Sequence, residues 1–266
     1  MKTIKRKSLL YPSGVDYGEF SLNYVEGCSH GCKFPCYAMS QKIRFGKIKG
    51  YNDWIKPKIV ENALELMEKE LTKLKDKVEL VNLCFSTDPF MHRQKDVKKL
   101  TLKIISMLNE NGIKAVTLTK GIYPKVLADK TYSSKNEYGI TLVSLNTEFQ
   151  KKFEPGAAPV NERLESLRYL HDRGLKTWVS IEPYPTPNIV NQDLVKILEK
   201  MKFVDKIVFG SWNYNRLVSR YPNAKKFYLG CAETLSRFCK KNGIEFHVKI
   251  KGQELDRFRN AKIFEN

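Results

Sequence analysis

Three cysteines stand at equal spacing in one short run, Gly27-Cys28-Ser29-His30-Gly31-Cys32-Lys33-Phe34-Pro35-Cys36-Tyr37-Ala38. Thiolates are soft ligands that suit iron–sulfur chemistry. Glycines inside the run let a short loop bend until the sulfurs converge. Three thiolates on a four-iron cubane leave one iron open, and an open iron can bind a small molecule and pass it an electron. A structural zinc would ask for a fourth Cys or His at a familiar spacing; His30 lies in the loop, but no paired C-x-x-C follows. A disulfide belongs to an oxidising compartment, and six cysteines in 266 residues are too sparse for a disulfide scaffold. A cluster site in a reducing compartment accounts best for the spacing.

Other polar residues close β-like runs. Cys84-Phe85-Ser86-Thr87-Asp88-Pro89 ends the second run, Lys120 the third, and Ser144-Leu145-Asn146 the fourth. Glu182 ends the fifth, and Trp212-Asn213-Tyr214-Asn215 follows the sixth. Ser, Thr and Asp also serve as turn caps, and a strand cysteine can be a small core hydrophobe. A tryptophan among asparagines can stack on a flat base and read its edges, or can be core beside a polar turn.

The elements that must position these groups are legible as alternating periods. Runs at 20–26, 79–85, 115–120, 139–145, 177–183, 206–212 and 244–249 are mostly rich in Val, Ile, Leu, Phe and Thr. Helical spacing fills the intervals 57–75, 97–111, 161–173, 191–202 and 231–241. Asn161 is a candidate N-cap, and Gly174 and Gly243 are candidate stops. Alternating strand and helix means parallel strands with covering helices. Six or seven units are too few for a closed eight-strand barrel. The expectation is therefore α/β: an open, partial parallel β/α barrel of about six units, forming one domain over 1–266. Its core spans about 20–215, with a C-terminal extension over 216–266. Chemistry should lie at the carboxyl ends of the strands.

Forty-seven basic against 29 acidic residues give a formal charge of +18, which favours anionic ligands without choosing between phosphorylated small molecules and nucleic acid. The apolar runs fall short of the ~20 residues needed to span a bilayer. The basic start lacks a signal-peptide pattern. A cytoplasmic protein with no membrane partner is expected.

This ordered set resembles the radical S-adenosylmethionine (SAM) superfamily. Its usual hallmark is C-x3-C-x2-C after the first barrel strand, with an aromatic just before the last cysteine. Here the spacing is C-x3-C-x3-C, with Phe34 and Pro35 before Cys36. Three segments resemble the branch containing spore photoproduct lyase: GCSHGC…CYA, Ser86-Thr87-Asp88-Pro89, and Ser144-Leu145-Asn146 followed by Phe153-Glu154-Pro155-Gly156-Ala157 and a helix bearing Arg163.

The resemblance implies that Cys28, Cys32 and Cys36 hold a 4Fe–4S cluster whose open iron is chelated by SAM. One electron, from a donor of flavodoxin or ferredoxin type, then yields a 5′-deoxyadenosyl radical. Tyr37 would pack near adenine. Ser86, Thr87 and Asp88 would accept from the SAM ammonium, and Lys120 would pair with its carboxylate. Ser144 and Asn146 would bond ribose or carboxylate. Glu182 would bind ribose hydroxyls or substrate, with Trp212, Asn213, Tyr214 and Asn215 on the substrate base, and Cys84 would be a hydrogen-atom donor. The compact, lysine-rich chain is similar to queuine lyases, which release queuine from queuosine or its 5′-phosphate. A DNA-repair lyase of the spore photoproduct type and a non-catalytic iron–sulfur protein are the alternatives.

Overall fold

The computed structural model describes residues 1–13, 19–34, 36–74, 77–213 and 215–250. Two short N-terminal strands, β1 (Lys2–Ile4) and β2 (Leu10–Pro12), precede β3 (Phe20–Leu22) and β4 (Val25–Glu26). The cysteine run leads into α1 (Tyr37–Arg44), α2 (Tyr51–Trp54), β5 (Lys58–Val60) and α3 (Ala63–Leu74). Then come β6 (Leu80–Leu83), α4 (Lys95–Glu110), β7 (Lys114–Thr119), a 3₁₀ turn (Lys125–Ala128) and β8 (Glu137–Thr141). Next are α5 (Thr147–Phe153), α6 (Val160–His171), β9 (Lys176–Tyr184), α7 (Leu194–Lys200) and β10 (Lys206–Ser211). The series ends with α8 (Arg216–Ser219), α9 (Ala224–Asn242) and β11 (Glu245–Lys249).

The main sheet runs β11-β10-β9-β8-β7-β6-β3-β2, with only β2 antiparallel to its neighbour. Its seven parallel strands therefore lie in strict chain order. Each crossover is right-handed by the usual rule, so an order that never reverses sends every helix to the same face. The helix-free face must then curl inward, which makes an open barrel rather than a doubly wound sheet. Among the described residues the sheet has two edges, β11 and β2, and does not close.

Strand register separates the two faces. Leu83, Thr117, Tyr138 and Thr177 share one row, and Ile140, Val179, Ile207 and Phe246 another; their apolar members belong to the main core. α4 supplies Val97, Thr101, Ile104, Ile105 and Leu108 as a single buried stripe. The alternate rows carry Ser21, Asn82 and Val116, then Gly139 and Trp178, then Thr141, Ser180, Val208 and His247. Val116, Trp178 and Val208, flanked by Leu80 and Leu118, form a separate small apolar cluster on this inner face. Trp178 fits only because its cross-strand partner is glycine: a Cβ on Gly139 would lie 2.3 Å from the indole.

All seven predicted strands are present, though the 20–26 run is split between β3 and β4. The predicted helix at 57–75 starts later, because Lys58–Val60 pairs with β1 and β4 in a small second sheet. Asn161 does not cap α6, which begins at Val160 behind Pro159. α9 starts at Ala224, seven residues before the predicted start, and ends at Gly243 in the left-handed conformation (φ +67°) as expected. Among the described residues no helix is long and apolar enough to cross a membrane.

Gly139→Ala should lower stability in chemical denaturation by about 1–3 kcal/mol, the cost of overpacking. That cost should shrink in a Trp178→Leu background, where the indole is gone. An equal cost in both backgrounds would contradict the proposed fit.

Candidate cluster and cofactor site

The cysteine loop is clamped from two sides. Gly27 (φ +83°) approaches α2 so closely that a Cβ would meet the Trp54 carbonyl at 2.7 Å, and the Cys28 N–H donates to that carbonyl at 2.8 Å. Tyr51 donates its hydroxyl to the Gly31 carbonyl at 2.9 Å. From the other side, the Lys33 N–H donates to the Phe153 carbonyl and the Gly156 N–H to the His30 carbonyl, both at 2.9 Å. A Cβ on Gly156 would lie 2.2 Å from the Ser29 carbonyl, so this seam needs glycine.

Cys28 and Cys32 are buried, and Cys36, at the N-cap of α1, is half-buried. Burial, then Asp88 and Cys32 nearby, pushes the Cys28 thiol well above its ordinary value. Burial pushes Cys32 up to about 12, with the Lys120 ammonium opposing it. Thiols this reluctant to ionise release their protons when a metal takes them. Among the described residues no three His, Cys, Asp or Glu side chains are arranged around a single ion.

His30 is withdrawn from ligation. Its Nε2 accepts the His92 N–H at 2.8 Å, so the ring proton sits on Nδ1, which faces Asp88 Oδ2 at 3.3 Å. Asp88 is itself buried and fully engaged. Oδ1 accepts from the Phe90 N–H at 2.9 Å and from Thr119 Oγ1 at 2.6 Å, and Oδ2 accepts from the Lys120 N–H at 2.8 Å. Burial would raise the Asp88 carboxyl, but His30 and these donors outweigh it and hold the carboxyl below its ordinary range. The expectation that Asp88 faces the barrel mouth is therefore corrected: it is an internal hub joining the loop, the turn after β6 and the end of β7.

Ser86 does remain near the mouth, donating through N–H and Oγ to Asn23 Oδ1 at 3.0 and 2.9 Å. Thr87 Oγ1 is inaccessible to solvent and lies beside the Cys84 thiol. Lys120 lies over the Phe34 ring, 5.2 Å from its centroid, and its Nζ is 3.7 Å from Glu154 Oε1. Burial would lower its pKa, but Cys32 and Glu154 pull it above the ordinary value. Arg163, the arginine of the helix in the third matching segment, is wholly buried, donating to the Ala158 and Thr141 carbonyls and to Glu154 Oε2 at 2.7, 3.0 and 2.8 Å.

Tyr37, expected near adenine, is instead 68% exposed, with its hydroxyl accepting from Gln41. Phe34 is the enclosed aromatic of the loop, edge-on to Trp212 at 5.5 Å. Trp212 is thereby packed among Phe34, Phe149 and Phe153, which corrects its expected role as a stacking surface for a base. Asn213 accepts from Ser211 at 3.2 Å, and Asn215 caps α8. Tyr214 lies outside the described residues. Ser144 Oγ accepts the Asn146 N–H at 3.0 Å, and Asn146 Oδ1 caps α5.

Cys84 is buried in the main core with a left-handed backbone (φ +54°), a conformation that costs a β-carbon-bearing residue about 1–3 kcal/mol. Burial pushes its thiol up to about 12, moderated by the Thr87 and Tyr24 hydroxyls beside it.

Glu182 is half-buried at the carboxyl end of β9, accepting from Lys249 Nζ at 3.1 Å. Its carboxylate occupies a notch left by Gly210, where a Cβ would lie 2.6 Å away. Deeper on the inner face, Asn82 Nδ2 and Trp178 Nε1 are buried donors without acceptors. Neither signalled itself in sequence, because only strand register reveals that they share a face.

Three comparisons bear on this arrangement. The profile of the Radical SAM superfamily matches residues 22–201. Among curated proteins, the chain is 26% identical over 219 residues to the uncharacterized protein ORF301 of Acidianus two-tailed virus, covering 73% of this chain and 69% of that one. It is also 26% identical over 198 residues to the uncharacterized protein MJ0683 of Methanocaldococcus jannaschii, covering 72% and 70%. Among solved structures, a spore photoproduct lyase variant with bound AdoMet and dinucleoside spore photoproduct superposes with a TM-score of 0.69 at 13% identity, over 94% of this chain and 81% of that one. Streptococcus suis SuiB bound to the precursor peptide SuiA gives 0.51 at 15% identity, over 71% and 42%. The structural likenesses concern the fold.

His30→Ala removes a donor from the buried Asp88 carboxylate and should cost about 1–3 kcal/mol in thermal or chemical denaturation. His30→Asn, which keeps a short polar side chain, should recover part of that loss. Wild-type stability in His30→Ala would refute the hub.

Proposed function

The chain belongs to the radical SAM superfamily, and on that premise we propose that it is a lyase acting on a nucleoside or nucleotide held in the open barrel. Members of the superfamily use a 4Fe–4S cluster and SAM. In this reading Cys28, Cys32 and Cys36 hold the cluster. One observation carries the assignment: the loop offers three thiols, while both nitrogens of its only histidine are already engaged. That donor set fits a cluster with one iron left for the amino and carboxylate groups of SAM, and does not fit a Cys₃His zinc site. When bound and reduced through the cluster, SAM supplies a 5′-deoxyadenosyl radical that takes a hydrogen atom from the substrate.

The chain's own residues then have placing roles. Lys120, beside Cys32 and over Phe34, is the cation for the SAM carboxylate. Ser86, Thr87, Ser144 and Asn146 offer hydroxyl and amide groups after β6 and β8 for the ammonium and ribose. Asp88 stays behind this shell, fixing the Lys120 backbone.

On the inner face, unmatched donors on Asn82 and Trp178 suit a ligand rich in acceptors, and the Glu182–Lys249 pair suits hydroxyls beside an anionic group. The dinucleoside photoproduct bound by spore photoproduct lyase, a protein of similar fold, is in keeping with a nucleoside ligand. Queuosine or its 5′-phosphate, cleaved between base and ribose to release queuine, is the substrate to test first. The fold likeness to spore photoproduct lyase favours a second reading, a lyase acting on damaged DNA. An electron donor of flavodoxin or ferredoxin type completes either scheme.

Anaerobic reconstitution with iron and sulfide, then incubation with SAM, dithionite and candidate substrates, tests the reading by mass spectrometry. Deoxyadenosine together with free base from queuosine supports the first reading, and repair of a dinucleoside photoproduct supports the second. A reconstituted cluster that never yields deoxyadenosine points to a non-catalytic iron–sulfur protein. Cys32→Ala should abolish the ~400 nm absorbance of a thiolate-ligated cluster. Full retention of iron and sulfide by that variant would contradict the ligand assignment.

A further inference from the structure

We propose that the face formed by α1 and the turn after it, residues 37–49, is the docking surface for an acidic protein that carries one electron, such as a flavin-bearing or small iron–sulfur carrier. The inference rests on the cluster assignment above and adds the route by which the electron arrives.

Position is the first argument. Cys36 caps α1 and is the most exposed of the three loop cysteines. Eight residues at ~1.5 Å each make α1 about 12 Å long, so its whole outer face stays close to the loop.

Exposed apolar surface is the second argument. α1 has no fully buried side chain; only Ala38 and Met39 pack partly against the core. Ile43 and Phe45 are 43% and 65% exposed. Exposed aliphatic and aromatic side chains gathered on one short segment mark an interaction site more often than singly scattered ones do.

Charge is the third argument and chooses the occupant. Between Lys33 and Lys58 the chain carries seven lysines and arginines against one aspartate. The nearby carboxylate of Glu26 is already shared by Arg6, Lys42 and Lys58. Lys33, Arg44, Lys47 and Lys49 are exposed and enter no ion pair among the described residues. An apolar centre ringed by unneutralised cations is complementary to a carrier whose redox edge is apolar and rimmed by carboxylates. The transfer balances simply: the carrier loses one electron and the cluster gains it.

The test compares wild type with Arg44→Glu/Lys47→Glu/Lys49→Glu and with the milder Arg44→Gln/Lys47→Gln/Lys49→Gln. Binding of an acidic flavodoxin to the cluster-free protein, followed by fluorescence anisotropy, should weaken about tenfold or more in the Glu variant and lose its salt dependence. With the reconstituted enzyme, the KM for reduced flavodoxin should rise by a similar factor, while dithionite-driven deoxyadenosine formation stays unchanged. The Gln variant should fall between the two. Unchanged flavodoxin binding and KM in both variants would overturn the proposal. Equal losses with flavodoxin and dithionite in the Gln variant would do the same, because they mark a disturbed fold. Loss of duplex DNA or RNA affinity with intact flavodoxin kinetics would reassign the surface to nucleic acid. If reconstituted wild type holds no cluster, the cluster reading itself fails and this inference falls with it, a result read from the missing ~400 nm absorbance and so told apart from the flavodoxin arms.

Discussion

The site depends on one buried carboxylate. Asp88 receives the ring proton of His30, a backbone N–H from its own turn, a hydroxyl from Thr119 and the N–H of Lys120. Burying a carboxylate costs several kcal/mol, and hydrogen bonds to a charged group each return roughly 1.5–3 kcal/mol, so the net stabilisation is modest. What the arrangement supplies is position. The cysteine loop, the turn after β6 and the end of β7 cannot shift separately without leaving a charge unsolvated. The same contact keeps His30 from competing as a ligand, so one hydrogen-bonded pair both holds the loop and limits its donors to sulfur.

Around this hub the chain order of the strands decides where chemistry can occur. Because the seven parallel strands never reverse order, the helices crowd one face and leave the other to curl. Its floor is the Trp178 cluster, which Gly139 admits. Toward the carboxyl ends the inner rows become polar, through Asn82, Thr141 and Ser180 to Glu182 and Lys249. The polarity gradient is a property of register: Asn82 lies two positions from Leu80, and Ser180 two positions from Trp178, along the same strands.

Much of this was legible in the sequence, and the failures share a cause. β-branched runs and turn residues located all seven strands, and equal cysteine spacing located the loop. The pairing of Lys58–Val60 with β1 was not legible, since three-residue strands carry no periodicity and their partners lie far along the chain. Asp88 was misplaced at the mouth because Thr-Asp-Pro after a strand reads as an exposed turn; only the approach of His30 and Thr119, 58 and 31 residues distant, turns it inward. Trp212 went wrong for the same reason, enclosed by three phenylalanines, and the burial of Arg163 against Glu154 was equally invisible to local pattern. Local pattern specifies elements, whereas the burial of a polar or aromatic side chain is decided by partners that local pattern does not contain.

The charge imbalance is set by composition, and the internal bonding decides where it shows. With 29 acidic residues against 47 basic ones, several carboxylates are committed inside: Asp88 to the hub, Glu154 to Arg163 and Lys120, Glu26 to three cations. Those three carboxylates are matched by five lysine and arginine side chains, Lys120 and Arg163 on Glu154 and Arg6, Lys42 and Lys58 on Glu26, so the positive excess at the surface comes from composition and not from the internal pairs. The excess is concentrated along the segment that leaves the cysteine loop, where residues 33–58 carry seven lysines and arginines against one aspartate. A field of that sign accelerates encounter with anions and is damped by salt within a Debye length of about 8–10 Å. The loop thus has two environments: a dry, charge-compensated interior that fixes the thiols, and a cationic rim on the segment that follows it.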